Sequence, residues 1–395
     1  METPNQMNRR HWLKTSALLT GSFTLGSGLI RSVAAAPAAE SLANTHAYTS
    51  KRFAEQTIAQ QMPQLKARLF ANENPFGPSK KARKAIVEAL NGSHQYPFMI
   101  IRELAGKIAA SEGVKPEQVV IGPGSSSLLL GSALLYSKNN GNIVTGDPTY
   151  DDLPEKAEMF NAKWIKVPLN TEHKLDLPAM EKAITPETSL VYICNPNNPT
   201  GTALDSTQLR EFCIRVSKKV PVFIDEAYID YMEKPEQATM IGLAQEGHNV
   251  IVARTFSKLY GFAGLRIGYV IAQPDIVKQL TMYANPIAGI STTTAHAALA
   301  AYKDTEFLQE ALKKTLESKQ YLYDVLSKEG YAFVPSVTNF VIFPIKMPAE
   351  RFVEEMMKRG VGVRPWQFAG QEWCRVSIGK MDEMKAFAEA FKQIS

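Results

Sequence analysis

Between residues 119 and 258 the chain repeats one pattern: a short apolar run, polar residues where the run ends, then helical spacing. VVIG opens a strand, tight turn and helix over 119–137. Further runs follow at 141–150 (GNIVTGDPTY), 163–170 (KWIKVPLN) and 189–201 (SLVYICNPNNPTG), then at 220–231 (VPVFIDEAYIDY) and 249–258 (NVIVARTFSK). Strands that are apolar throughout must be covered on both faces. Alternation with helices supplies that cover, so the fold class is α/β with a mostly parallel sheet. In such sheets ligands bind where loops leave the strands.

The flanks differ. Residues 44–70 read as a helical arm interrupted at Pro63, and ANENPFGPS (71–79) as a loop. SKKARKAIVEAL (79–90) has helical spacing with Ser79 as its cap, QYPF (95–98) is a turn, and 99–113 is a helix ending at Gly113. After Thr294 come long helices to 326, then strand–strand–helix–strand–strand, a small α+β unit.

At 395 residues and 45% hydrophobic content the chain has material for a large and a smaller domain. Its net charge is +5, and residues 1–38 carry four basic residues against one acid. No basic stripe is interleaved with stacking aromatics, which argues against nucleic-acid binding. Cys194, Cys213 and Cys374 form no CxxC pair, so neither a disulfide scaffold nor a metal site is expected. The leader MNRRHWLKTSALLTGSFTLGSGLIRSVAAAPAAE resembles a twin-arginine export signal, through Arg9-Arg10 and an Ala36-Pro37-Ala38 cleavage-type end. Its apolar part is too short and polar for a membrane span. The expectation is periplasmic export of a folded, cofactor-loaded protein without stable membrane insertion; a leader that does not function leaves it in the cytoplasm.

Four features at strand exits carry chemistry. Gly124-Ser125-Ser126 opens a helix and is either a phosphate cradle or an ordinary cap. Asp225 ends a strand too apolar to want a carboxylate; it holds a protonated ring nitrogen, caps a helix or forms an internal ion pair. Lys258 is a reactive amine in an enclosed site or a surface stem. Arg266 grips a phosphate or sits in a surface ion pair. Together they are what pyridoxal phosphate needs, and GPGSSS has the spacing of neither a dinucleotide fingerprint nor a P-loop.

From about Leu69 to Gly379 the chain resembles the fold-type I, pyridoxal-phosphate-dependent class I/II aminotransferases, in a histidinol-phosphate aminotransferase-like branch. The ordered motifs are ANENPFGPS, QYP, GPGSSS, DPTY, NPNNPTG, FIDEAYIDY, RTFSKLYGFAGLRIGY and RVSIG. The resemblance implies a seven-stranded large domain at 76–294, helices and a small C-terminal domain at 295–395, and an arm with part of the small domain at 39–75. It implies pyridoxal 5′-phosphate bound as an aldimine to Lys258, which then moves the substrate proton. Asp225 would pair with the ring nitrogen and Tyr150 would stack on the ring. Asn198 and Tyr228 would bond its phenolic oxygen, and Ser125, Ser126, Ser257 and Arg266 would hold the phosphate. Tyr96 would reach the phosphate of a neighbouring subunit, giving a homodimer with shared sites. Arg375 would clamp the substrate carboxylate, Asn74 lies in a loop closing over substrate, and Arg364 reads its distal group. Ser126 stands where the branch often has an acid, and Pro365, Trp366 and Phe368 beside Arg364 favour a bulky or aromatic donor over histidinol phosphate.

The implied reaction moves an amino group from an L-amino acid, or a histidinol-phosphate-like amine, to a 2-oxo acid. The same residues serve decarboxylation or elimination, as in a threonine-phosphate decarboxylase, because they activate any bond at the α-carbon. A pyridoxal-phosphate-binding protein without turnover is the remaining alternative.

Overall fold

The computed structural model describes residues 65–284 and 289–395. The twin-arginine leader and most of the helical arm expected at 44–70 lie outside the described residues. Residues Gln64–Ser395 form one compact unit.

Its main sheet has seven strands: β2 (Val119–Gly122), β3 (Asn142–Asp147), β4 (Lys163–Pro168), β5 (Thr188–Cys194), β6 (Val222–Asp225), β7 (Val250–Thr255) and β8 (Gly268–Ile271). The spatial order is β2-β8-β7-β6-β5-β3-β4. Only β8 runs antiparallel to its neighbours; the other six point one way.

Period-two alternation sorts the central side chains into two layers. Val191, Ile193, Val222, Ile224, Val250 and Val252 face one core, with Leu104 and Ile108 of the helix Phe98–Glu112 and Phe212 of Ser206–Val216. Leu190, Tyr192, Phe223 and Ile251 face the other, with Leu128 and Leu129 of Ser125–Ser137 and Leu153 of Asp152–Met159. Each fully buried aliphatic contributes about 1.5–3 kcal/mol relative to exposure, so the central strands are held firmly. Their ends, where polar residues begin, are thereby fixed.

The C-terminal part has a three-stranded antiparallel sheet of β9 (Phe340–Pro344), β11 (Arg364–Phe368) and β12 (Gln371–Ser377) in the order β11-β12-β9. The helices Thr305–Lys328, Ala349–Lys358 and Met381–Phe391 pack with it through Leu322, Phe352, Phe387 and Phe391. One expectation is corrected at 65–70. In place of helix, Ala67–Arg68 is a two-residue strand, β1, paired parallel with β10 (Val361–Gly362). Ala67 and Leu69 are fully buried in this second core. That burial, together with the backbone bond from Leu69 N–H to the Gly362 carbonyl (2.8 Å), outweighs local helical spacing.

Candidate active site

Because six strands run in one direction, their carboxyl ends lie on one edge of the sheet. The chain moves outward from β3 to β4, returns to β5 on the other side of β3, and continues through β6 and β7. Outside those ends lies a cavity of about 290 Å³. Ser125 and Ser126 enter it after β2, Tyr150 after β3, Asn198 after β5, Asp225 and Tyr228 at and after β6, and Ser257, Lys258 and Arg266 after β7. Arg364 and Arg375 come from the three-stranded sheet.

One end is built for an anion. The helix Ser125–Ser137 begins after Gly124, whose φ of 76° favours glycine, and no side chain caps it. Its first amides are therefore free to bind, and the helix dipole favours negative charge there. Arg266, itself at φ 58°, donates from Nη1 to Ser257 Oγ at 3.2 Å. A Cβ added at Gly124 would lie 2.2 Å from Arg266 Nη2, so the glycine leaves the space the guanidinium occupies.

Asp225 is 2% exposed. Its Oδ1 accepts from Ala227 N–H at 3.1 Å and its Oδ2 from the Tyr192 hydroxyl at 3.3 Å. Burial pushes this carboxyl up to about 6, against the pull of those donors and of the Lys258 charge. It forms no ion pair among the described residues, so a cationic ring nitrogen would meet an acid with no competing ion pair. Lys258 Nζ lies 3.4 Å from the Asn72 carbonyl and 5.3 Å from the Tyr228 ring centre. Burial raises the Tyr150 hydroxyl far above the ordinary tyrosine range, so it stays neutral.

Arg375 is also 2% exposed. Nη1 donates to Asn198 Oδ1 at 2.6 Å and Nη2 to the Phe70 carbonyl at 2.8 Å. Its buried Nε has no partner, and it pairs with no acid among the described residues. Burial first, and then the charge of Arg364, push the guanidinium down to about 9. An entering anion would relieve both.

Some expected residues stand elsewhere. Asn74 Nδ2 donates to the Leu259 carbonyl at 2.6 Å and its Oδ1 accepts from Phe76 N–H at 3.0 Å. Its amide is spent on backbone groups, and Asn74 lines the neighbouring cavity with Arg68 and Glu73. Tyr96, expected at a neighbouring subunit's phosphate rather than in this cavity, is 71% exposed. Trp366 packs with Val334, Ile342 and Trp373. Its ring centre is 5.9 Å from Arg364 Cζ and 6.0 Å from Arg375 Cζ. Sequence reading also missed Asn72, Glu73 and Cys194, which line the cavity, and Tyr192, which holds Asp225. The quoted ANENPFGPS contains Asn72, but only tertiary contacts distinguish it from Asn74.

These residues fit pyridoxal 5′-phosphate: an anion cradle beside Arg266, an unpaired buried acid, a lysine between, and an aromatic side chain. Comparison with known proteins gives the same answer. Residues 66–391 match the family described as aminotransferase class I and II. The histidinol-phosphate aminotransferase of Moorella thermoacetica is 37% identical over 83% of this chain and 85% of its own. An aromatic amino acid aminotransferase of Mycolicibacterium vanbaalenii is 35% identical over 81% of this chain and 90% of its own. A histidinol-phosphate aminotransferase from Sinorhizobium meliloti, solved with pyridoxal 5′-phosphate, superposes with a TM-score of 0.79 at 28% identity, covering 86% of this chain and 95% of its own.

Proposed function

The chain belongs to the class I and II aminotransferases and is a pyridoxal-phosphate-dependent aminotransferase, and on that premise we propose how its residues divide the work and which substrates they select. When bound, pyridoxal 5′-phosphate supplies an electron sink that makes a proton on the substrate α-carbon acidic. Ser125, Ser126, Ser257 and Arg266 hold the phosphate. Asp225 keeps the ring nitrogen protonated, which its freedom from any other cation allows. Tyr150 would cover the ring, and Asn198 and Tyr228 would hold its phenolic oxygen. Lys258 would be the amine that holds the cofactor and the base within reach of the substrate α-carbon proton.

Arg375 receives the carboxylate of the amino donor and, in the second half of the cycle, that of the 2-oxo acceptor. The observation that carries this reading is the buried Arg375 guanidinium, with an unpartnered Nε and no acidic partner. A second reading, histidinol phosphate as donor, is supported by the named relatives and by Arg364 sharing the cavity with Arg375, since two guanidiniums suit a phosphate.

Arg375→Lys keeps the charge but loses the planar fork. Steady-state kinetics should show KM rising about 30-fold for L-amino acid and 2-oxo acid alike, as for a lost charge-assisted hydrogen bond of ~2 kcal/mol. A KM for the 2-oxo acid that does not move would sink the shared clamp. Turnover with histidinol phosphate and none with amino acids would replace the first reading with the second.

A further inference from the structure

Asn72 occupies an unusual position for a residue in a surface-type motif. It is 2% exposed, its φ is 54°, and it lines the active-site cavity. Its backbone N–H donates to Ser377 Oγ at 2.8 Å, and that hydroxyl donates to Asn72 Oδ1 at 2.8 Å. Its Nδ2 then donates to the Tyr228 hydroxyl oxygen at 3.0 Å. Its carbonyl accepts from Asn339 Nδ2 at 3.1 Å, and Lys258 Nζ stands 3.4 Å away.

The direction of these bonds follows from what each group can do. A backbone N–H only donates, so Ser377 Oγ accepts there, and the acceptor in place for its own proton is Asn72 Oδ1. That fixes which end of the amide is the carbonyl, and the NH₂ end must face Tyr228. The Tyr228 oxygen therefore accepts from Asn72, leaving its own proton to be donated elsewhere. Tyr228 lines the cavity.

We infer that Asn72, oriented by Ser377, is a positioning residue that makes the Tyr228 hydroxyl a one-way donor into the active site. The inference rests on the proposed reading in which Tyr228 faces the phenolic oxygen of the cofactor. Accepting a hydrogen bond strengthens the donation a hydroxyl makes, so Asn72 also raises the stabilisation Tyr228 gives to negative charge there. Asn198, whose Oδ1 accepts from Arg375, keeps its own amide donors for the same oxygen, so the effect of Asn72 is read against that background.

The test is a pH titration of the visible absorbance of the cofactor-loaded protein, a readout that simple loss of packing does not move in a fixed direction. Asn72→Gly suits the positive φ, keeps the backbone bonds and removes the amide. It should raise the midpoint by about half a pH unit, as expected for a weakened hydrogen bond to the anionic form. Ser377→Ala should move it the same way by less, and it decides the matter if the glycine variant does not fold. Tyr228→Phe should raise the midpoint, and adding Asn72→Gly to it should change nothing further. A wild-type midpoint in Asn72→Gly, with Tyr228→Phe shifted, overturns the role of Asn72 alone. An equal shift from Asn72→Gly with and without Tyr228 shows action by another route and also overturns it. If Tyr228→Phe leaves the midpoint unmoved, the placement of Tyr228 fails and this inference with it.

Discussion

Asp225 shows how a single side chain can be costly to the fold while, on the proposed reading, serving the reaction. Burial takes its carboxyl from 3.8 to about 6, so the cofactor-free fold prefers it protonated. Its contribution to stability is complete below 3.8 and is lost as pH rises through about 6. The difference corresponds to about 3 kcal/mol at most. Asp225→Asn should therefore stabilise the cofactor-free protein by up to that amount at about pH 8 and lose the advantage below about pH 4. With cofactor bound the effect should reverse, because the variant has no charge for the ring nitrogen. Thermal denaturation with and without cofactor measures both. A variant destabilised equally at both pH values, with no cofactor dependence, would show that Asp225 serves only the fold.

At the scale of the element, the cradle depends on how a strand turns into a helix. Gly124 permits the turn by its positive φ and leaves room for Arg266. Gly124→Ala should strain the turn and displace the guanidinium, weakening cofactor binding about tenfold for a cost near 1.4 kcal/mol. Fluorescence titration of the cofactor would read this, and an unchanged Kd would contradict the close approach. The strand-to-helix unit itself was legible, because VVIG is apolar throughout and Gly-Ser-Ser follows it. So was the helix Lys80–Ala89: Ser79 Oγ accepts from Ala82 N–H at 3.2 Å, as a capping serine should. Strand β1 was not legible, since two residues have no period to read and only Val361–Gly362 makes them a strand. The strand β8 escaped for the same reason, being four residues after a glycine-rich loop. Asn72 and Asn74 have identical side chains two residues apart; Ser377, 305 positions away, decides which faces the cavity. The positive φ of Arg266 likewise follows from its tertiary setting rather than from its neighbours in sequence.

Across the whole molecule, two sheets meet at one cavity and divide the labour. The parallel sheet supplies the cofactor residues at the ends of strands held by two apolar layers. The antiparallel sheet supplies Arg364 and Arg375, which face each other across the register of β11 and β12. The residues themselves pointed to Gly124, Ser125, Ser126, Asp225, Lys258 and Arg266 of the first group, while Tyr150, Asn198, Tyr228 and Ser257 came through the resemblance. The second was legible only through resemblance, because an arginine within CRVSIG looks like any other until its burial is known. The division assigns bond activation to one sheet and substrate selection to the other, and transamination requires both to serve two substrates in turn. Its most direct test is the visible spectrum of the cofactor-loaded protein during addition of one L-amino acid without a 2-oxo acid. The account predicts that the absorbance of the lysine-bound cofactor is lost and that a 2-oxo acid then restores it. Loss accompanied by release of carbon dioxide, ammonia or a side-chain fragment, with no restoration by a 2-oxo acid, would contradict it.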